Sequence, residues 1–76
     1  MNNVRRKNIE KVIGMISDAR SLLEELMSEE EEYRDNMPEN LQGSERYEKA
    51  DEACYSMEEA IGNMEDIESS LEEVIS

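Results

Sequence analysis

The sequence predicts an all-α protein: an antiparallel, coiled-coil-like two-helix hairpin that self-associates into a four-helix bundle. Three observations lead there. Apolar residues recur every seven positions through both halves of the chain, one short segment between the halves holds the only cluster of helix breakers, and 76 residues are too few for a self-sufficient core. The whole chain, 1–76, is read as one domain.

Helix 1 is expected from about Asn3 to Arg34. Ile9, Ile16 and Leu23 keep the seven-residue beat, with Val12, Ala19, Leu26 and Tyr33 offset by three, which lays two adjacent apolar rows on one helical face. Helix 2 is expected from about Glu45 to Ile75, where Ala50, Met57, Met64 and Leu71 keep the beat and Ala53, Ala60, Ile67 and Val74 take the offset row. At 1.5 Å per residue each helix is about 45–48 Å long, so the hairpin is a rod.

The turn spans about 35–44. Pro38 disfavours helical geometry at Met37 and can open a new helical turn, Gly43 can take positive φ, and Ser44 is a good N-cap for helix 2. A reversal centred near Glu39 sets Tyr33 level with Tyr47, with Leu41 between the rings. The same register sets Arg5, Arg6, Lys7 and Lys11 beside Asp66, Glu68, Glu72 and Glu73, so ion pairs are expected at the open end.

Charge limits the partners. Eight Lys and Arg stand against twenty-one Asp and Glu, a net −13, and such a field repels nucleic acid instead of binding it. Cys54 is the only cysteine and there is no His, so neither an internal disulfide nor a Cys/His zinc site is available. No stretch approaches the roughly 20 apolar residues of a membrane span. The expectation is a soluble protein of a reducing cytoplasm, with a basic protein as partner, no direct nucleic acid and no membrane.

After Lys49 helix 2 carries no basic residue, and its acids fall in adjacent pairs on the heptad beat: Asp51-Glu52, Glu58-Glu59, Glu65-Asp66, Glu72-Glu73. On a helix these make two negative rows facing away from the apolar rows, with successive pairs about 10 Å apart. The rows read either as a solvated face or as an imitation of DNA phosphates. Like-charge neighbours such as Glu48 and Glu52 cost a few tenths of a kcal/mol each, and Glu72 and Glu73 oppose the helix dipole, which favours the second reading. Tyr55 stands among these carboxylates as an anchor for a partner's Arg or Lys. The candidate partner-binding set is therefore Asp51, Glu52, Tyr55, Glu58, Glu59, Glu65 and Asp66. Gly14 and Gly62 take outward positions at nearly the same height, either for a partner's close approach or by drift.

Ile13, Met15, Leu22 and Met27 widen the stripe of helix 1 beyond what one partner helix covers, and they are the candidate self-association residues. Cys54 lies at the stripe's margin and reads as core, as do the methionines at 15, 27, 57 and 64. Enzyme chemistry is not expected. The chain has no His, a lone Cys without a base, no Gly-rich phosphate loop and carboxylates that point outward, and no calcium-loop spacing with its central Gly occurs. No catalytic residue, cofactor or metal site is assigned.

The run Tyr33-Arg34-Asp35-Asn36-Met37-Pro38-Glu39-Asn40-Leu41-Gln42-Gly43-Ser44-Glu45-Arg46-Tyr47-Glu48, followed by Glu58-Glu59-Ala60-Ile61, resembles small acidic helical-hairpin proteins encoded by phages and prophages. The resemblance covers the turn and the start of helix 2. It implies a helical hairpin in a bacterial host cell and assigns no catalytic residues. By looser analogy the charge pattern is similar in kind to DNA-mimic anti-CRISPR and anti-restriction proteins. The expected function is a non-enzymatic inhibitor that presents an acidic helical face to a nucleic-acid-handling host protein such as a nuclease. The alternative is a structural or assembly module that binds through the apolar face of helix 1.

Overall fold

The computed structural model describes residues 1–76 as two long helices, α1 (Asn3–Asp35) and α2 (Glu45–Ile75), joined through a short 3-10 turn at Glu39–Leu41. The helices pack antiparallel as a hairpin, with no strand. Both begin at capped N-termini. Asn2 Oδ1 accepts the Arg5 N–H at 2.8 Å, and Ser44 Oγ accepts the Tyr47 N–H at 3.3 Å, each satisfying a backbone donor that lacks a partner within its helix. At the far end of α1 the Asn36 N–H closes on the Glu32 carbonyl at 3.0 Å, and Pro38 then takes extended geometry and opens the 3-10 turn. Gly43 does not adopt positive φ; the Ser44 N–H reaches the Leu41 carbonyl at 3.0 Å, and the reversal closes without a left-handed residue.

The molecule is a rod of 59 × 15 × 13 Å with a radius of gyration of 17.3 Å, where a compact chain of this length would have about 11 Å. Its accessible surface is 5747 Å², against about 4,800 Å² for a compact monomer of the same mass. Only Met37, Ala50, Cys54 and Ile61 are buried, three of them on α2 and Met37 beneath the turn.

The rows facing the seam differ from those expected. Ile9, Ile16 and Leu23 face α2, but their companions are Ile13, Arg20, Met27 and Arg34, offset by four, while Val12, Leu26 and Tyr33 stay exposed. On α2 the row of Ala50, Met57, Met64 and Leu71 is likewise joined by Cys54, Ile61, Glu68 and Ile75, leaving Ile67 and Val74 exposed. The physical reason lies in the two arginines: their alkyl stems lie along the seam while their heads reach carboxylates of α2. Arg20 Nε donates to Glu68 Oε2 at 2.6 Å and Arg34 Nη1 to Asp51 Oδ1 at 3.0 Å.

These pairs also correct the register. A reversal centred on Glu39 would set Arg20 level with Glu58 and Arg34 level with Ser44, and the observed partners lie about two to three helical turns further along α2. Part of that displacement is side-chain reach. The remainder reflects α2 starting beyond the end of α1, over buried Met37, so that the first turn of α1 overhangs the end of α2. Tyr33 accordingly shares a groove with Met37, Leu41 and Arg46, and Tyr47 is not among its lining residues. Arg5, Arg6, Lys7 and Lys11 make no ion pair; Glu68, one of their expected partners, is held by Arg20.

Candidate partner-binding surface

In an antiparallel pair, rows displaced in the same sense from the seam lie on the same side of the hairpin. Glu31 and Arg34 of α1 share one groove with Asp51, Tyr55 and Glu58 of α2, whereas Tyr33 and Arg46 share the groove on the opposite side. The hairpin therefore has two unlike sides. One carries Glu24, Glu31, Asp51, Glu58, Glu65 and Glu72; the other carries Val12, Met15, Ala19, Leu22 and Leu26 from α1 beside Ala53, Ala60, Ile67 and Val74 from α2.

All seven residues of the candidate partner-binding set are exposed, with Tyr55 the most open large hydrophobic residue of α2 at 71%. They do not act as equals. Asp51 is paired with Arg34, so its charge is partly neutralised, while Glu52, Glu58, Glu59, Glu65 and Asp66 have no basic partner. Heptad spacing holds the two rows parallel to the rod axis, with the Tyr55 ring between them near the turn end. In the groove at its foot lie Met27, Cys54 and the Arg34 guanidinium.

Three groups have shifted proton affinity. Arg20 is pushed above its usual range by hydrogen bonds to Glu68 and then Glu24, and Arg34 by its bond to Asp35, so both remain cationic. The Cys54 thiol is raised above its ordinary value chiefly by burial, with Arg34 opposing and Glu31, Glu30 and Asp51 adding to the rise. A thiol with these neighbours stays protonated and is a poor nucleophile.

The candidate self-association residues divide. Met15 and Leu22 are exposed on the apolar side, at 70% and 57%, but Ile13 and Met27 belong to the seam inside the hairpin. Val12, Leu26, Ile67 and Val74, assigned to the seam from their periodicity, instead complete the exposed apolar side at 44–48%. Periodicity alone could not separate these rows, because both flanks of the Ile9–Ile16–Leu23 row carry apolar residues. Gly14 and Gly62 are both exposed, and a Cβ added at either meets no atom within 4 Å. Under the observed register they lie at different heights.

No group of three or more His, Cys, Asp or Glu is arranged to hold a metal ion, and no helix is long and apolar enough to cross a membrane. The chain matches no protein-family model, no curated protein and no solved structure.

Proposed function

We propose that this chain is a non-enzymatic, phage-type protein-binding inhibitor, acting in the cytoplasm of a bacterial host, that presents the acidic outer face of α2 to a basic groove of a nucleic-acid-handling protein. The observation that carries this reading is the unneutralised pair of rows, Glu52-Glu59-Asp66 and Glu58-Glu65, on one straight, exposed helical face. Such a face attracts a cationic channel at long range and competes with DNA for it, as anti-CRISPR and anti-restriction DNA mimics do. Tyr55 adds a ring for a partner's Arg or Lys. The working unit is a self-associated four-helix bundle, since the apolar side needs a cover and a dimer turns its acidic faces outward.

The test is capture from a host lysate with wild-type protein and with Glu58, Glu59, Glu65 and Asp66 all changed to Lys. Wild type recovers a DNA-binding protein, DNA displaces it, and binding weakens with salt; the quadruple variant keeps its helicity and loses the partner. Retained affinity in that variant, with binding indifferent to salt, overturns the reading.

A second reading has its own observation. Met15 and Leu22 stand as open as charged residues do, so an assembly module that docks a client on the apolar side accounts for them with the charge serving solubility. Its signature is binding that survives the quadruple reversal and fails with Leu22→Glu.

A further inference from the structure

We propose that the apolar side is covered by a second copy of this chain in one specific arrangement: antiparallel, α1 against the partner's α1, about a two-fold axis that crosses α1 at Ala19. This deepens the self-association proposed above and rests on it. Two features of the chain point to this arrangement over a parallel one, and a third to a dimer as such.

The first is steric. An axis at Ala19 sets Val12 against the partner's Leu26, Met15 within one residue of level with the partner's Leu22, and Ala19 against the partner's Ala19, a small residue where two helices cross closely. On α2 an axis between Asn63 and Met64 sets Ala53 against the partner's Val74 and Ala60 against the partner's Ile67, matching small with large at each level. One axis can serve both helices only if Ala19 and residues 63–64 share a height. The Arg20–Glu68 and Arg34–Asp51 pairs set the two midpoints within about one helical turn of each other once side-chain reach is allowed for.

The second is electrostatic. Both ends of α1 carry charges that oppose its own dipole, Arg5 and Arg6 at the N-terminus and Glu29 to Glu32 near the C-terminus, where Arg34 is the only basic residue of the last turn. Arg5, Arg6 and Lys7 are exposed, unpaired within the hairpin, and overhang the end of α2. The antiparallel arrangement lays each basic overhang against the partner's acidic turn end: Arg5, on the same heptad row as Val12, Ala19 and Leu26, comes beside the partner's Glu29 and the ring of the partner's Tyr33. A parallel arrangement would gather both basic ends together and both acidic turns together.

The third is area. The chain exposes roughly 1,000 Å² more than a compact monomer of its mass, and the apolar side runs from Val12 to Leu26 on α1 and from Ala53 to Val74 on α2. Two such sides facing each other bury surface of the order that a specific dimer needs, about 1,600 Å².

Cysteine cross-linking of the full chain in a Cys54→Ala background tests the arrangement. Ala19→Cys is expected to oxidise to a covalent dimer in dilute solution. Val12→Cys alone should remain uncoupled, while an equimolar mixture of Val12→Cys and Leu26→Cys should couple. Sedimentation equilibrium of wild type reads the association itself. Arg5→Glu should weaken it about threefold or more, and adding Glu29→Arg should restore it. If wild type dimerises but Val12→Cys couples with itself, or the charge changes leave association unaltered, the antiparallel arrangement is wrong and self-association stands. If wild type is strictly monomeric at high micromolar concentration, both fall.

Discussion

Arg20 bridges the two helices at mid-length: its Nε donates to Glu68 Oε2 at 2.6 Å while its Nη1 donates to Glu24 Oε1 at 2.9 Å along α1. It occupies a position that a simple coiled coil would give to an aliphatic residue, and the Glu68 side chain beneath it is only 12% exposed. A pair in this setting sets register more than it adds stability, because taking both charges from water offsets much of their attraction. Removing either alone should lower the melting temperature. Arg20→Met with Glu68→Leu should recover wild-type stability or exceed it, and thermal melts of the two single variants and the double variant check this. A double variant that stays as far below wild type as the singles would show that the pair itself stabilises the hairpin.

Gly14→Ala and Gly62→Ala should each stabilise the protein by about 1 kcal/mol, additively. Both positions are helical, exposed and free of neighbours, so the methyl group meets nothing and the unfolded chain loses freedom. Urea unfolding of the single and double variants measures it. If partner capture fails in either alanine variant while stability rises, the glycine serves close approach by the partner.

Burial separates residues of equal hydrophobicity. Ile61→Ala and Met37→Ala should cost about 2 kcal/mol or more, since these are the large apolar side chains that are buried. Leu22→Ala should cost less than about 0.5 kcal/mol to the isolated hairpin, because Leu22 is 57% exposed. Denaturation at low and high protein concentration makes the comparison, and under the proposed self-association the Leu22 effect should grow with concentration.

Alkaline pH should weaken the fold through Cys54. Its thiol is raised in the folded state above the ordinary 9.0 by burial, so the folded chain holds the proton more tightly than the unfolded chain. The contribution is fully present below that ordinary value and is lost as pH rises through the folded one. Melts between pH 7 and 11 should show a decline that Cys54→Ala reduces, and alkylation of Cys54 in the native protein should be slow. An identical decline in the alanine variant would assign it to other groups.

Screening should raise stability at neutral pH, since Glu58, Glu59, Glu65 and Asp66 repel one another with no basic residue near them on α2. Melting temperatures across a salt series test this. A steady fall with salt would mean that ion pairs such as those of Arg20 and Arg34 outweigh the repulsion.

The sequence by itself determined the class of fold, both helices to within a residue at their ends, the Ser44 cap and the exposure of the acidic rows. Each is a local property: heptad spacing, a breaker cluster, a hydroxyl ahead of a helix, and charge on the face opposite the apolar rows. Tertiary structure alone decided which apolar row turns inward and how far the helices slide along each other. Ile9, Ile16 and Leu23 have apolar neighbours on both flanks, so local pattern leaves the choice open, and Arg20 and Arg34 resolve it by reaching Glu68 and Asp51 across the seam. That rotation moved Ile13 and Met27 inward and left Val12 and Leu26 outside, and the shifted register freed Arg5, Arg6 and Lys7 from the partners expected of them. Contacts between residues distant in sequence depend on rotation and register together, and neither is written into the periodicity of one helix.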